Sequence, residues 1–145
     1  MTDQQCSRQW KGFLRAFSEE FATQLQEDDL RALMRRLGSR FAASTPLGAA
    51  RSVDELQMAM GRAWIGLDWG WTALTEQDAS LEIVHHCAPL QAAFGAAAVR
   101  WSPAFLEGAY QEWFAQADAG GLQVRQVGGP DADGSFTFRL ARPGA

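Results

Sequence analysis

Histidine and cysteine stand together at His85-His86-Cys87, and these side chains are the chain's best candidates for metal binding or nucleophilic catalysis. Residues 80–87 have the composition of a β-strand, in which neighbouring side chains point to opposite faces. Only His85 and Cys87 then share a face, about 7 Å apart. A zinc site needs three or four ligands, and a Cys–His catalytic pair must lie within hydrogen-bond reach. The pattern therefore favours a structural strand end, with no metal ligands and no catalytic residues.

Clustered carboxylates are the other candidates for acid–base chemistry. Those clusters lie on exposed helix faces or at predicted helix N-termini, where the helix dipole favours negative charge. The sequence contains no glycine-rich phosphate loop, no GxSxG nucleophile motif and no HExxH zinc motif. We therefore expect a protein that is not an enzyme and that binds no cofactor. The clusters are Glu19-Glu20, Glu27-Asp28-Asp29 and Asp54-Glu55.

The composition is that of a folded, moderately acidic chain. Its 145 residues are 47% hydrophobic and 21% charged, which predicts one domain over residues 1–145. A net charge of −4 disfavours nucleic acid as a partner. Residues 1–8 form a polar N-terminal segment without signal-peptide character, and the apolar stretches are shorter than a membrane span, so we expect a cytoplasmic location. Residues 141–145 are expected to form a flexible tail.

Hydrophobic periodicity predicts three N-terminal helices. The first carries an apolar stripe at three- and four-residue steps. The second begins near Asp28 as its N-cap. The third begins with a capping box, in which Ser52 and Glu55 satisfy each other's backbone N–H groups, and its buried side runs from Leu56 to Leu67. The stripe of the first helix consists of Trp10, Phe13, Leu14, Phe17, Phe21 and Leu25.

After Asp68 the period changes to two, which predicts two β-hairpins separated by a helix. That helix begins at Ser102-Pro103, with proline at the first helical position. The elements predict an α+β fold, in which the hairpins form a small antiparallel sheet packed against helices. Alternation in the last two strands predicts that the other face of the sheet contacts water or a partner. The strands are placed at residues 69–74, 80–87, 122–125 and 136–140.

Six tryptophans are a high number for this length, and aromatic rings serve in cores, in protein interfaces and as platforms for sugars. Trp64 lies on the buried side of the third helix. Trp69 and Trp71 share a strand face and are expected to pack on the helices. Trp10 and Trp101 stand at helix starts and are expected to be partly exposed.

Three segments resemble, in order and spacing, the bacterial family of cellulose synthase operon protein D. Residues 64–74 are similar to its passage from an apolar helix end, through Asn or Asp and Trp-Gly-aromatic, into a strand. Residues 82–89, with His85 and Pro89, are similar to its Ile-Val-His strand end. Residues 101–113 are similar to its helix containing Pro, Leu-Glu-Gly, Tyr and Trp, and residues 13–17 fit its first helix. The likeness covers nearly the whole chain.

The resemblance implies a non-catalytic accessory subunit of the bacterial cellulose synthase and secretion complex at the inner membrane. Such subunits form ring-like octamers, as tetramers of dimers, that guide nascent β-1,4-glucan chains for export and crystallisation. Implied partners are the other synthase subunits and a proline-rich protein, with the periplasm as the alternative location. His85 and Tyr110 match the family pattern without a role beyond packing. By position, the glucan passage is lined by Thr2, Asp3, Gln4, Gln5, Cys6 and Ser7.

Two other interpretations stay open. The order of elements also resembles the small-molecule-binding fold of vinyl-reductase-type domains and TRAPP subunits, which predicts a dimer with a closed apolar pocket for a lipid or cofactor. A small hydrolase using His85 and Cys87 is the third interpretation. Under the interpretation as a cellulose-export subunit, we expect the exposed aromatic residues of the first helix and the outer face of the sheet to line the assembly interfaces.

Overall fold

Helices and strands follow the chain in the predicted order, and the computed structural model describes residues 7–144. Helix α3 begins where the Ser52 hydroxyl accepts a hydrogen bond from the backbone N–H of Glu55. The helices are α1 (Arg8–Gln24), α2 (Glu27–Ser44), α3 (Val53–Gly66), α4 (Leu90–Phe94) and α5 (Ala104–Phe114). The strands are β1 (Trp71–Glu76), β2 (Leu81–His86), β3 (Gln123–Gln126) and β4 (Phe136–Ala141).

The two hairpins join into a four-stranded antiparallel sheet with the order β1-β2-β4-β3. The central contact is between β2 and β4, where Ile83 lies opposite Phe138. Helix α3 packs against β1 and α5 packs against β3. The predicted α+β fold, with helices packed on the sheet, is confirmed.

The core lies between the inner face of the sheet and helices α3 and α5. Burial alternates along β2 and β4, as expected for a sheet with one packed face. Trp64 is fully buried and stacks between Phe41 and Trp69, with ring centroids 5.4 and 5.6 Å away. The largest fully buried side chains include Trp64, Trp113, Tyr110, Phe138, Met60, Ile83 and Leu106.

Two glycines allow the backbones of α2 and α5 to touch. A Cβ on Gly38 would overlap the carbonyl oxygen of Phe105, and a Cβ on Gly108 would overlap that of Arg35. Because each clash is with backbone, neither neighbour can move aside without shifting its helix. This close crossing fixes the position of α5 behind the sheet.

Two tryptophan predictions are wrong. Trp101 is only 7% exposed, because the turn before α5 carries it into a cluster with Phe94 and Leu30. Trp71 is 48% exposed, because β1 begins at this residue and turns its side chain away from the helices. Trp69 precedes the strand and packs on the core.

Helix boundaries also differ in detail from the predictions. Glu55 accepts a hydrogen bond from the backbone N–H of Arg51, one residue before its predicted capping-box partner. Leu67 is 50% exposed, because α3 ends at Gly66 and Leu67 is its C-cap. Helix α2 begins at Glu27, and α5 begins at Ala104 with Pro103 as its N-cap.

Candidate assembly surface

The polar segment predicted to contact glucan leads directly into helix α1. Thr2, Asp3, Gln4, Gln5 and Cys6 lie outside the described residues. Ser7 is exposed, and its Oγ accepts a hydrogen bond of 3.3 Å from the backbone N–H of Gln9. Ser7 therefore serves as the N-cap of α1.

The first half of α1 turns its aromatic side chains toward solvent. Trp10 and Phe13 are each 57% exposed, and Phe17 is 44% exposed. Successive ring centroids are 5.9 Å apart along this series, and Phe17 contacts Phe21 at 4.5 Å. We name Trp10, Phe13 and Phe17 the α1 aromatic surface. Contiguous exposed rings are typical of a protein–protein contact.

The second half of α1 attaches the helix to the rest of the chain. The buried Ser18 donates a hydrogen bond of 3.0 Å from Oγ to the carbonyl oxygen of Phe94. Phe21 and Leu25 pack against a buried cluster beside α2. The aromatic surface therefore projects from a helix that is fixed at its other end. The cluster contains Leu30, Met34, Ala98, Trp101 and Ala104.

A second uncovered surface is the side of the sheet away from the helices, which we name the outer sheet face. The register and the alternation of the strands define its members. Trp71 stacks on His86 with ring centroids 5.1 Å apart, and His86 Nδ1 lies 2.8 Å from Ser135 Oγ. The outer sheet face comprises Trp71, Ala73, Thr75, Glu82, Val84, His86, Gln123, Arg125, Thr137, Arg139 and Ala141.

Side chains accept hydrogen bonds from some of the backbone N–H groups at both edges of the sheet. On β1, the Leu74 N–H donates to Gln57 Oε1 at 2.7 Å. On β3, the Val124 N–H donates to Gln111 Oε1 at 2.9 Å, and the Gln126 N–H donates to Glu107 Oε2 at 2.7 Å. An extra strand cannot pair there without breaking these bonds. The edge of β3 is therefore more fully covered than the edge of β1.

Glu107 is a buried carboxylate, with a side chain only 7% exposed, that sequence reasoning missed. Arg35 Nη1 lies 3.0 Å from its Oε1, and Arg31 Nη2 lies 3.4 Å from its Oε2. With the bond from Gln126, this carboxylate joins α2, α5 and β3. The signal for it was a charged residue within the otherwise apolar face of the predicted helix.

His85 lies at the centre of a buried hydrogen-bond network. Its Nε2 is 2.7 Å from the carbonyl oxygen of Trp69, so Nε2 carries the proton and donates. Its Nδ1 then accepts from the Tyr110 hydroxyl at 2.6 Å. Because the only proton of that hydroxyl is used in the hydrogen bond to His85, its oxygen accepts the two remaining bonds. These come from Trp64 Nε1 at 3.0 Å and from Thr72 Oγ1 at 2.5 Å. The Tyr110 hydroxyl thus makes every hydrogen bond available to it.

Burial keeps both ionisable members of this network neutral. Loss of hydration lowers the pKa of His85 to about 4, despite the opposing effect of the Trp69 carbonyl. Burial also raises the pKa of the Tyr110 hydroxyl far above its ordinary value. Both groups are therefore uncharged near neutral pH, and their hydrogen bonds join the sheet to α3 and α5.

The structure does not bring His85 and Cys87 together as a reactive pair. His85 is fully buried with both ring nitrogens engaged, whereas Cys87 is exposed beyond the end of β2. Within residues 7–144, no three His, Cys, Asp or Glu side chains are grouped as metal ligands. A cavity of about 430 Å³ beside Cys87 is also lined by the exposed Asp131 and Asp133, whereas the lipid-binding interpretation predicts a closed apolar pocket.

The α+β fold has a neutral, fully hydrogen-bonded polar network in its core and two uncovered faces, the α1 aromatic surface and the outer sheet face. The chain matches the sequence model of the family described as the D subunit of cellulose synthase over residues 1–141, and it belongs to that family. The family is an accessory component of the synthase and not the catalytic one. Comparison with curated proteins gives no match.

Family membership confirms the resemblance derived from residues 64–74, 82–89 and 101–113. Membership of this family is consistent with a place in the cellulose synthase complex at the inner membrane. In the part of the chain that the structure describes, no helix has both the length and the apolar character needed to cross a bilayer.

Proposed function

We propose that this protein assembles into a ring-like octamer, a tetramer of dimers, that guides nascent β-1,4-glucan chains for export and crystallisation. The observation that carries this proposal is the α1 aromatic surface. A helix that is anchored at one end and bears contiguous exposed rings at the other needs a partner to cover it. A second copy of the chain provides that cover.

The position of α1 links assembly to glucan binding. Because α1 begins at Arg8, residues 2–7 leave the aromatic surface at its N-terminal end. Copies that pack through α1 would bring their N-terminal segments close to one another. The segment is polar, with hydroxyl and amide side chains that hydrogen-bond sugar hydroxyls and exchange those bonds readily, as a moving chain requires. We assign the glucan contacts to Thr2, Asp3, Gln4, Gln5, Cys6 and Ser7.

Location and partners follow from the same role. The octamer would act beside the inner-membrane synthase, on the cytoplasmic side, and bind other synthase subunits and a proline-rich partner. A protease or labelling reagent that cannot cross an intact membrane tests this location. It is applied to intact cells and to cells whose outer membrane alone is permeabilised. Accessibility of the protein in cells whose outer membrane alone is permeabilised would contradict the cytoplasmic assignment and favour the periplasm.

Deletion of residues 2–6 tests the guiding role while sparing Ser7, the N-cap of α1. The control deletes residues 142–145 at the other end of the chain. In cells that make cellulose with only the altered protein, we expect the first deletion to lower the yield or the order of the cellulose fibres. We expect the purified variant to keep the wild-type mass. Unchanged cellulose with the first deletion would refute the glucan contact, and loss of assembly would show that the segment acts in packing instead.

A further inference from the structure

A cavity of about 230 Å³, which we name the α1 cavity, lies between helix α1 and the chain that follows α4. Trp101, Phe94 and the alanines of residues 96–98 form its apolar side, and Arg15 and Glu19 of α1 supply two charged groups. Pockets for drug-sized molecules measure about 300–1,000 Å³. The α1 cavity therefore suits a smaller group, of the size of one sugar ring.

The two charged side chains of the cavity have no partner inside the chain. Arg15 and Glu19 stand four residues apart on α1, the spacing at which opposite charges on a helix pair, yet within residues 7–144 no ion pair joins them. In the same part of the chain neither side chain makes a hydrogen bond, and Arg15 Nε is buried with no acceptor in reach. Because a buried polar group without a partner destabilises a protein, an added acceptor beside this guanidinium group would be favourable.

Local structure holds the walls of the α1 cavity in place. Gly95 has a φ of 89°, a conformation that favours glycine, and at this turn the chain passes beside α1. A Cβ on Gly95 would lie 3.5 Å from Cδ of Arg15, so the Arg15 side chain lies along the turn. Ser18 joins α1 to the same segment through its hydrogen bond of 3.0 Å to the carbonyl oxygen of Phe94. The fold itself therefore forms the cavity.

The two charges restrict the kind of ligand. A guanidinium group only donates hydrogen bonds and a carboxylate only accepts them, so a ligand that satisfies both must donate and accept. An anion would be repelled by Glu19 and a cation by Arg15. Neighbouring hydroxyl groups on a sugar ring meet both requirements without charge, and the C–H groups of the ring pack against aromatic side chains. The arrangement favours a neutral carbohydrate.

We propose that the α1 cavity binds one sugar unit of a β-1,4-glucan chain, with Arg15 and Glu19 bonded to its hydroxyl groups and Trp101 against its apolar side. The inference rests on the proposed function, under which glucan is the carbohydrate that this protein meets. Arg15 follows Arg8, the first residue of α1, by about two helical turns, or roughly 10 Å. A glucan chain that contacts the polar N-terminal segment can therefore reach the cavity.

Assembly through the α1 aromatic surface leaves this cavity open. Arg15 follows Phe13 by two positions, Glu19 follows Phe17 by two, and each position turns the helix by about 100°. The two charged side chains therefore lie on the side of α1 nearly opposite the aromatic surface. Glucan and a second copy of the chain would occupy different sides of the same helix.

Calorimetric titration of cellohexaose, a soluble β-1,4-glucan fragment, into the purified full-length protein tests the site. Arg15→Met removes the N–H donors and keeps the apolar stem of the side chain, and Ala97→Leu fills the cavity from an exposed position. We expect each change to weaken binding at least tenfold. The matched controls, Arg62→Met on α3 and Ala43→Leu on α2, lie at exposed positions outside the cavity and are expected to bind as the wild type does.

The outcomes separate this inference from the proposed function. Loss of binding in a cavity variant that keeps the unfolding midpoint and the solution mass of the wild type would support the site. Binding that both cavity variants retain, or an equal loss in the controls, would overturn it, and deletion of residues 2–6 would then show whether the N-terminal segment alone holds the glucan. A wild type that does not bind cellohexaose would also overturn the site, whereas an octameric solution mass would leave the proposed assembly standing.

Discussion

The α1 aromatic surface gives the sharpest quantitative prediction. Full burial of an aromatic side chain contributes about 1.5–3 kcal/mol. Phe13 is 57% exposed and Phe17 is 44% exposed, so covering the pair adds about 2 kcal/mol for each copy. If both copies contribute this surface to one contact, a Phe13→Gln, Phe17→Gln variant loses about 4 kcal/mol, which is a roughly thousandfold larger dissociation constant.

Light scattering over a dilution series measures this loss, and thermal unfolding of the dissociated chain checks the fold. We expect little change in the stability of the single chain, because both rings face solvent and glutamine is a good helix former. The control replaces Met58 and Ile65, which are 61% and 64% exposed on α3, with glutamine. An unchanged dissociation midpoint in the α1 variant, or an equal loss in the control, would refute the reasoning.

Three further predictions concern the interior, each measured by denaturant unfolding of the variant. Because the His85 pKa is about 4 in the folded chain and 6.5 when unfolded, the unfolded state binds the extra proton. The wild type should lose about 3 kcal/mol between pH 6.5 and 4 relative to His85→Gln; parallel pH profiles would contradict this. Gly38→Ala should cost at least about 2 kcal/mol through its clash with α5, whereas Gly61→Ala, which meets nothing, should be neutral or stabilising. Glu107→Gln should cost about 2 kcal/mol by removing the charge that faces two arginines, and a loss below about 0.5 kcal/mol would contradict that role.

Periodicity predicted the elements well because local and tertiary preferences agree in them. The stripe from Trp10 to Leu25 and the alternation around Phe138 identified α1 and β4 and led to the correct fold class. The failures lie where the chain changes direction. Trp71 and Trp101 were misplaced because their burial depends on where a strand or turn begins: Trp69 precedes β1, so its packing on the core does not carry Trp71 to the same face.

The polar core could not be predicted from spacing. Thr72, His85 and Tyr110 are far apart in sequence, and only the packing of α5 against the sheet brings them together. The apolar surroundings that lower the pKa of His85 arise from the same packing. In contrast, exposed aromatic residues on the first helix were expected as part of an assembly interface, although the sequence did not assign them singly.

The solution mass of the full-length purified chain tests the central claim most directly. Light scattering after size exclusion, repeated over a range of concentrations, gives this mass without reference to shape. Our account predicts a value near eight times the 15.9 kDa of one chain. A mass of one or two chains at every concentration would contradict the ring assembly. The family membership and the fold would stand, but the proposed guidance of glucan chains would not.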